Sequence, residues 1–133
     1  MADAAGELER VPLFADLDRR QLKKLAALFR ERTLADGTSA VQEGTMSGVG
    51  FFVVTSGEAS VSVGGEEVAT LGPGDWFGEL ALITRGERTA TVTAKGELHC
   101  LEIPFWDFRE FAQANADVTW KLLEHVVARL QQS

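Results

Sequence analysis

Two charged side chains, Glu79 and Arg88, stand on either side of a short apolar turn within residues 72–94. Gly78 precedes the acid, and a glycine lets the backbone approach a ligand closely because it has no Cβ. Residues 79–82 are typical of one helical turn whose first N–H groups lack intrahelical partners, and such groups favour a phosphate. The guanidinium of Arg88 can meet two phosphate oxygens, and an ionised Glu79 accepts a hydrogen bond from a hydroxyl. The spacing therefore predicts a cradle for an anion that carries a hydroxyl. A plain helix start followed by a solvated loop arginine is the simpler alternative.

A known sequence pattern surrounds these residues. The run Gly-Asp-Trp-Phe-Gly-Glu-Leu-Ala-Leu at 74–82, with Arg-Thr-Ala-Thr-Val at 88–92, resembles the phosphate-binding cassette of cyclic nucleotide-binding domains. That module is shared by catabolite activator-type transcription factors, cyclic-nucleotide-dependent kinases and cyclic-nucleotide-gated channels. The resemblance implies that Glu79 holds the ribose 2′-hydroxyl and that Arg88 pairs with the cyclic phosphate. It also implies that backbone amides at Ala81 and Thr89 complete the phosphate shell, in a cassette that includes Gly78 and Leu80.

The resemblance extends over nearly the whole chain and implies further contacts. Val61, Val68 and Leu71 would line the wall facing the base and sugar, although a plain core role fits them equally. A C-terminal helix would cover the base with residues 126–130, where Arg129 offers a polar contact. Thr89 bears on which base is bound, because a threonine there helps to hold the guanine amino group in cGMP-dependent kinases. Channels that prefer cyclic AMP can carry it too, so cyclic AMP is favoured and cyclic GMP stays open.

Composition and charge argue against several other functions. The 133 residues include 13 basic and 20 acidic side chains, giving a net charge of −7, which predicts no nucleic-acid binding by this chain alone. His99 and His125 are far apart in sequence with no ligand cluster, so neither a metal site nor cupin-like metal chemistry is expected. Cys100 is interpreted as a structural thiol, and no catalytic pattern points to an enzyme. With no spanning apolar run and no signal peptide, a cytoplasmic location is predicted.

The spacing of apolar residues along the sequence changes twice. These changes divide one domain, residues 1–133, into three parts. Residues 1–31 form an N-terminal helical part, residues 32–103 a β-roll containing the cassette at 72–92, and residues 104–133 C-terminal helices. Short strands with glycine punctuation predict an antiparallel sandwich or barrel. The resemblance narrows this to a mainly β fold, an antiparallel β-roll of the double-stranded jelly-roll type, with an N-terminal helix and a C-terminal helical lid.

Individual elements follow from the same patterns. Residues 1–9 are expected to be frayed at their start. Asp16 is expected to cap a helix at 17–30 whose basic run, residues 19–24, is interpreted as a solvated face. Gly64-Gly65 predicts a two-residue hairpin, and further turns are expected at Ser56-Gly57 and at Gly72-Pro73-Gly74. The glycine-rich residues 48–50 are also interpreted as a turn. An aromatic cluster after Pro104 is expected to pack on the roll; it consists of Phe105, Trp106, Phe108 and Phe111. A final helix is expected at 118–131. The predicted strands are 32–34, 39–42, 51–55, 59–63, 67–71, 89–94 and 98–103.

The favoured hypothesis is a cyclic nucleotide sensor that signals through movement of its C-terminal helices without turning the ligand over. Alternatives are a cyclic GMP-binding module and a ligand-free structural or dimerisation domain of a larger regulator. The end of the chain directly after the lid helix fits a stand-alone sensor slightly better than a fragment. The wide apolar face of that helix leaves a protein partner or a homodimer open.

Overall fold

In the computed structural model the described residues are 4–41, 50–78 and 90–131, with backbone only at Val41 and Arg129. An antiparallel sheet forms the body, and helices precede and follow it. The elements are α1 (Ala4–Glu9), a 3₁₀ helix (Pro12–Phe14), α2 (Arg19–Ala26), β1 (Arg30–Leu34), β2 (Ser39–Val41), β3 (Gly50–Val63), β4 (Glu66–Leu71), β5 (Trp76–Phe77), β6 (Thr91–Pro104), α3 (Phe105–Ala114) and α4 (Ala116–Gln131).

The six described strands form one sheet in the order β1-β6-β3-β4, with β2 paired to β6 and β5 paired to β3. All pairings are antiparallel. The prediction of a mainly β fold with flanking helices is confirmed. Gly64 and Gly65 have φ angles of 62° and 83° and connect β3 to β4, as the hairpin prediction requires.

The two long strands correct the prediction of shorter ones. Predicted strands 51–55 and 59–63 are parts of β3, and predicted strands 89–94 and 98–103 fall on β6, which begins at Thr91. Register shifts between Val54 and Glu58 keep β3 paired with β6 through an irregular region. Gly57, which reads as a turn in the sequence, sits inside this region with a φ of +85°. Glycine punctuation here marks bulges rather than chain reversals.

Alternation along β3 and β6 divides the apolar side chains between two layers. The outer layer packs against the helices and includes Phe51, Val53, Leu101 and Ile103. The inner layer lies inside the curved sheet, because the intervening residues of the same strands face the other way. Its buried members are Leu34, Phe52, Val54, Ala59, Phe77, Val92, Ala94, Leu98 and Cys100.

The N-terminal part differs from the prediction in two ways. Residues 4–9 form α1, a helix that was not predicted, and its Leu8 is fully buried in the outer layer. Asp18, not Asp16, caps α2, and the helix ends at Ala26. The side chain of Asp18 accepts from the Gln21 N–H at 2.8 Å, and the Asp18 N–H donates to the Gln21 side chain at 2.9 Å. This reciprocal capping box sets the start of the helix.

The C-terminal part follows the prediction more closely. Pro104 precedes α3, and Asn115 separates α3 from α4. Phe108 and Phe111 are buried against the roll as expected, but Trp106 is 59% exposed, so the aromatic cluster is smaller than predicted. The turn predicted at 48–50 is wrong at Gly50, which begins β3, and residues 48–49 lie outside the described part. None of the helices among the described residues is long and apolar enough to cross a membrane.

Candidate functional site

A tight turn leads the chain into the predicted cassette. Within residues 72–75 the Asp75 N–H donates to the Gly72 carbonyl at 3.0 Å, with Pro73 in the second position and Gly74 in the third at φ +90°. These are the features of a type II turn, in which the third residue needs a positive φ. The side chain of Asp75 also accepts from the Gly72 N–H at 2.8 Å. The residue types of the sequence Gly-Pro-Gly-Asp therefore suit their positions in this turn.

The same turn is fixed to the centre of the sheet. The Gly74 N–H donates to the Val54 carbonyl and the Val54 N–H donates to the Asp75 carbonyl, both at 2.8 Å. In β5 Phe77 pairs with Phe52, and the two rings stack 4.7 Å apart at 8°. Gly78 follows with a φ of +88°, a conformation that favours glycine. The backbone thus enters residue 79 from a rigid anchor.

The inner layer changes character along β3 and β6. At the β5 end it is filled by aromatic and large aliphatic side chains, whereas Ala59 pairs with Ala94 near the hairpin, and Ala40 packs beside them. Val61 and Leu71 are half-buried at this small-residue end and pack against the same cluster. The structure therefore brings Val61 and Leu71 together on the inner face. The alternation of serine with apolar residues in Ala59–Val63 was the sequence signal that could have placed Ala59 on the same face as Val61.

Val68 occupies a different setting from the other two wall candidates. The register passes from Val61 opposite Ala69 to Ser62 opposite Glu67, which leaves Val68 as the extra residue of a bulge in β4. It is 59% exposed. A bulge changes the direction of a side chain relative to its neighbours, so alternation alone does not place Val68 on the inner face. Its role at the base stays a prediction.

The remaining predicted contacts fall outside the described residues. Glu79, Leu80, Ala81, Arg88 and Thr89 all lie between Gly78 and Ala90, and the side chain of Arg129 is likewise not described. Their assignments stay predictions. The described structure shows the two ends of that segment: β5 delivers it from Phe77, and β6 receives it at Thr91, which pairs with Ser62.

One charged cluster lies on the outward face of the hairpin. Glu67 accepts a hydrogen bond from the Ser60 hydroxyl at 2.6 Å and pairs with Lys95 at 3.5 Å. The Ser60 hydrogen bond, followed by the charge of Lys95, lowers the pKa of Glu67. All three side chains are at least partly open to water, so the cluster is a weak surface clasp between β3, β4 and β6.

A buried amide ties the last helix to the first part of the chain. Gln21 is 8% exposed, and its side-chain N–H donates to Asp117 while its carbonyl accepts from Lys121 at 3.0 Å. The Gln21 hydrogen bond is the main reason that the pKa of Asp117 is lowered, and the Val118 backbone N–H adds to it. Sequence reasoning missed this contact, because it joins positions 96 residues apart.

Helix α4 has two apolar faces. Val118 and Leu122 are buried against the domain, whereas Trp120, Leu123, Val127 and Leu130 are exposed on another side. These four residues, which we call the α4 stripe, are spaced 3, 4 and 3 residues apart, the spacing of the a and d positions of a coiled coil. In the described part of the chain nothing packs on the stripe strongly enough to bury it.

Cys100 is the single cysteine of the chain, and its side chain is buried. Burial raises the pKa of the Cys100 thiol to about 11, outweighing the nearby charge of Arg32, so the side chain is a neutral thiol at neutral pH. Among residues 4–41, 50–78 and 90–131, no group of three or more His, Cys, Asp or Glu side chains could hold a metal ion.

The described residues form an antiparallel β-roll with helices at both ends. Comparison with known proteins gives its family: the model of the cyclic nucleotide-binding domain matches residues 31–115. The chain belongs to the cyclic nucleotide-binding domain family. The predictions of the family and of its β-roll fold are confirmed, and the match includes both Glu79 and Arg88.

Individual relatives cover the same region. A cAMP-dependent protein kinase regulatory subunit of Yarrowia lipolytica is 44% identical over 95 residues, which are 70% of this chain and 25% of that protein. The N-terminal domain of a transcriptional regulator from Streptomyces coelicolor A3(2) is 35% identical with a TM-score of 0.85, over 94% of this chain and 90% of that one. The catabolite activator protein of Thermus thermophilus is 28% identical with a TM-score of 0.75, over 91% of this chain and 59% of that one. The chain spans about a quarter of the length of the curated kinase subunits it matches.

Proposed function

We propose that this domain is a receptor for cyclic AMP, in which Arg88 pairs with the cyclic phosphate and Glu79 holds the ribose 2′-hydroxyl. The observation that carries the proposal is the family match over residues 31–115, which includes an intact Glu79 and Arg88. The rigid turn before Gly78 supports it, since a ligand cradle needs a preorganised backbone. No catalytic role is proposed, and the cytoplasmic location stays a prediction.

The test is a comparison of arginines in the same segment. Charge-assisted hydrogen bonds contribute about 1.5 to 3 kcal/mol each, so Arg88→Ala weakens cyclic AMP binding on the order of a hundredfold or more. Glu79→Ala weakens it roughly tenfold to a hundredfold by the same reasoning. Arg85→Ala is the matched control, because it removes an arginine that the cassette does not use. Equal dissociation constants for Arg88→Ala and Arg85→Ala contradict the assignment.

Cyclic AMP is preferred over cyclic GMP in this proposal. The support is the group of cAMP-dependent kinase regulatory subunits among the relatives, one of them 44% identical over the matched region. Thr89, which could favour guanine, is then of little importance to affinity. We expect Thr89→Ala to leave the affinity for cyclic AMP nearly unchanged. The preference is reversed if the wild-type protein binds cyclic GMP more tightly and Thr89→Ala loses affinity for cyclic GMP alone.

The signal is proposed to leave the site through α4. The first half of the helix is held by the buried Val118 and by Gln21, whereas the second half exposes Val126, Val127 and Leu130. The nucleobase of a ligand bound beside Val61 would give these residues an apolar surface to cover, with Arg129 as a polar contact. Burial of apolar surface contributes about 25 cal/mol per Å². The ligand would thereby select one position of the second half of the helix.

Hydrogen exchange tests this route. Cyclic AMP slows amide exchange both at residues 78–82 and in α4, whereas protection confined to residues 78–82 contradicts a role for the helix. Truncation after Asn115 removes α4 and weakens binding. It leaves the sheet folded, because most of the buried core residues lie outside α4.

A second candidate function, association of two copies through the α4 stripe, rests on a separate observation. The exposed a/d-spaced residues form a seam that a second helix could cover. Leu123→Glu places a charge at the centre of the seam and abolishes a dimer in sedimentation velocity. Trp106→Ser is the control, since it removes an exposed aromatic residue from α3 instead. A wild-type protein that stays monomeric at high concentration removes this candidate and leaves the receptor proposal intact.

A further inference from the structure

Helix α2 carries an unusual concentration of positive charge. Arg19, Arg20, Lys23 and Lys24 are all exposed on one face of an eight-residue helix, which we call the α2 basic face. Residues 16–32 contain six basic and three acidic side chains, whereas the rest of the chain contains seven basic and 17 acidic ones. The positive charge is therefore local, on a molecule whose net charge is −7.

The placement of two of these four cations does not serve the helix, whereas Lys23 and Lys24 occupy its last turn, where the helix dipole favours cations. Arg19 and Arg20 occupy its first turn, which has no acidic residue, and the positive end of the helix dipole disfavours cations there. No ion pair joins any residue of the α2 basic face to another part of the described chain. With no ion-pair partner in the described part of the chain, the α2 basic face is available to an external anion.

A small pocket with both polar and apolar walls adjoins this face. It has a volume of about 100 Å³, is lined by the buried side chains of Phe14, Leu17 and Leu22, and is bordered by Ala15 and Arg19. This volume is smaller than the roughly 150 Å³ of a cavity that takes up benzene, so it suits one aliphatic side chain. Arg19 belongs to both features, which places the pocket at the end of the basic face.

We propose that the α2 basic face and this pocket together bind a short acidic segment of a partner protein, with one aliphatic side chain of that segment inserted in the pocket. A helix of eight residues is about 12 Å long, which matches roughly four residues of extended chain. Glu9 lines the pocket on the side of α1 and repels carboxylates there. The acidic residues of the segment consequently lie toward Lys23 and Lys24.

Charge and shape favour a protein segment over other anions. A nucleic acid is a long polyanion, and the 17 acidic residues outside this region repel it beyond the few contacts that α2 offers. A membrane surface takes up protruding apolar side chains, whereas this site is a concave pocket that takes one in. A short segment with a single aliphatic anchor satisfies both the charge and the pocket.

The experiment uses the full chain and a fluorescein-labelled peptide of nine residues, in which glutamates flank a central leucine. Anisotropy shows saturable binding that weakens as salt rises, because surface charge interactions are screened. Lys23→Glu combined with Lys24→Glu weakens binding about tenfold or more, since two attractive contacts become repulsive. Arg109→Glu, which reverses one charge at an exposed site on α3, is the control for a nonspecific charge effect and leaves binding nearly unchanged.

The pocket is tested separately. Ala15→Met fills it from the rim, and replacing the central leucine of the peptide by serine removes the anchor; each weakens binding, and the two together weaken it little more than either alone. Absence of saturable binding overturns the proposal. So does an equal loss with Arg109→Glu, an unchanged affinity for Ala15→Met, or equally tight binding of single-stranded DNA or phosphatidylserine vesicles, each of which would show recognition of charge alone.

Discussion

Gly57 lies where β3 and β6 bend together, and its replacement by alanine gives the sharpest test of the described fold. The residue has a φ of +85°, and a Cβ built on it lies 2.4 Å from the Glu97 carbonyl oxygen and 3.2 Å from the Leu98 Cα. The left-handed conformation costs an alanine about 1 kcal/mol. The contact adds more, because the Glu97 carbonyl oxygen is a backbone atom that must shift to reach even 3.0 Å.

The expected loss is about 3 kcal/mol in all, the sum of conformational strain and a local backbone displacement. Gly96→Ala is the matched control: its φ is +77°, and nothing lies within 4 Å of the added Cβ. It should lose only the conformational part, about 1 kcal/mol. For a domain of this size these losses correspond to falls in Tm of about 12 °C and about 4 °C.

Thermal and urea unfolding, followed by circular dichroism, measure both changes. Asparagine separates the two causes further, since it tolerates a positive φ but carries a Cβ. Gly96→Asn should therefore recover most of the stability lost in Gly96→Ala, whereas Gly57→Asn should recover little. Equal shifts for the two alanine variants, or a full recovery by Gly57→Asn, refute the close approach of β3 to Glu97.

Three further predictions concern other described contacts. Gln21→Leu should lower Tm by several degrees, because it removes a capping hydrogen bond and the link to α4, which together contribute about 1 to 2 kcal/mol. Gln113→Leu, at an exposed position, should leave Tm unchanged, and thermal unfolding curves compare the two variants. Cys100, with a pKa near 11, should react with iodoacetamide at pH 8 at least about a hundredfold more slowly in the folded protein than in urea, and equal rates contradict its burial. Because the folded pKa of Asp117 lies below its ordinary 3.8, its contribution to stability should be complete above that value and vanish as the pH falls through the lowered one. Asp117→Asn should flatten this part of a stability–pH curve, and an unchanged curve removes the role of Gln21 in the shift.

Much of the fold could be predicted from residues that act locally. The apolar spacing of α2 and α4 indicated helices, and Gly64-Gly65 indicated a hairpin with the positive φ angles that the structure has. Leu8 could not be placed, because α1 is six residues long and owes its position to burial against distant side chains. Gly57 was misleading for a similar reason, since a glycine at a bulge and a glycine at a turn look alike in sequence.

For the candidate site too, the features that depend on local residues could be predicted, whereas those that depend on distant contacts could not. Glu79 and Arg88 were predicted as ligand contacts from residue type and spacing; the matched range contains both, and their roles stay predictions. The turn at 72–75 was expected, but its two hydrogen bonds to β3 depend on a strand some 20 residues away and follow only from the fold. The Gln21 link to Asp117 joins the two helical parts across the chain and has no sequence signature at all.

Titration calorimetry with cyclic AMP on the full chain tests the central claim most directly. We expect saturable binding of one cyclic AMP per chain, with cyclic GMP weaker, and with 5′-AMP much weaker because it lacks the cyclic phosphate. We also expect Arg88→Ala to lose the signal while Arg85→Ala keeps it. Binding of 5′-AMP as tight as that of cyclic AMP, or no saturable heat with either cyclic nucleotide, would contradict the claim.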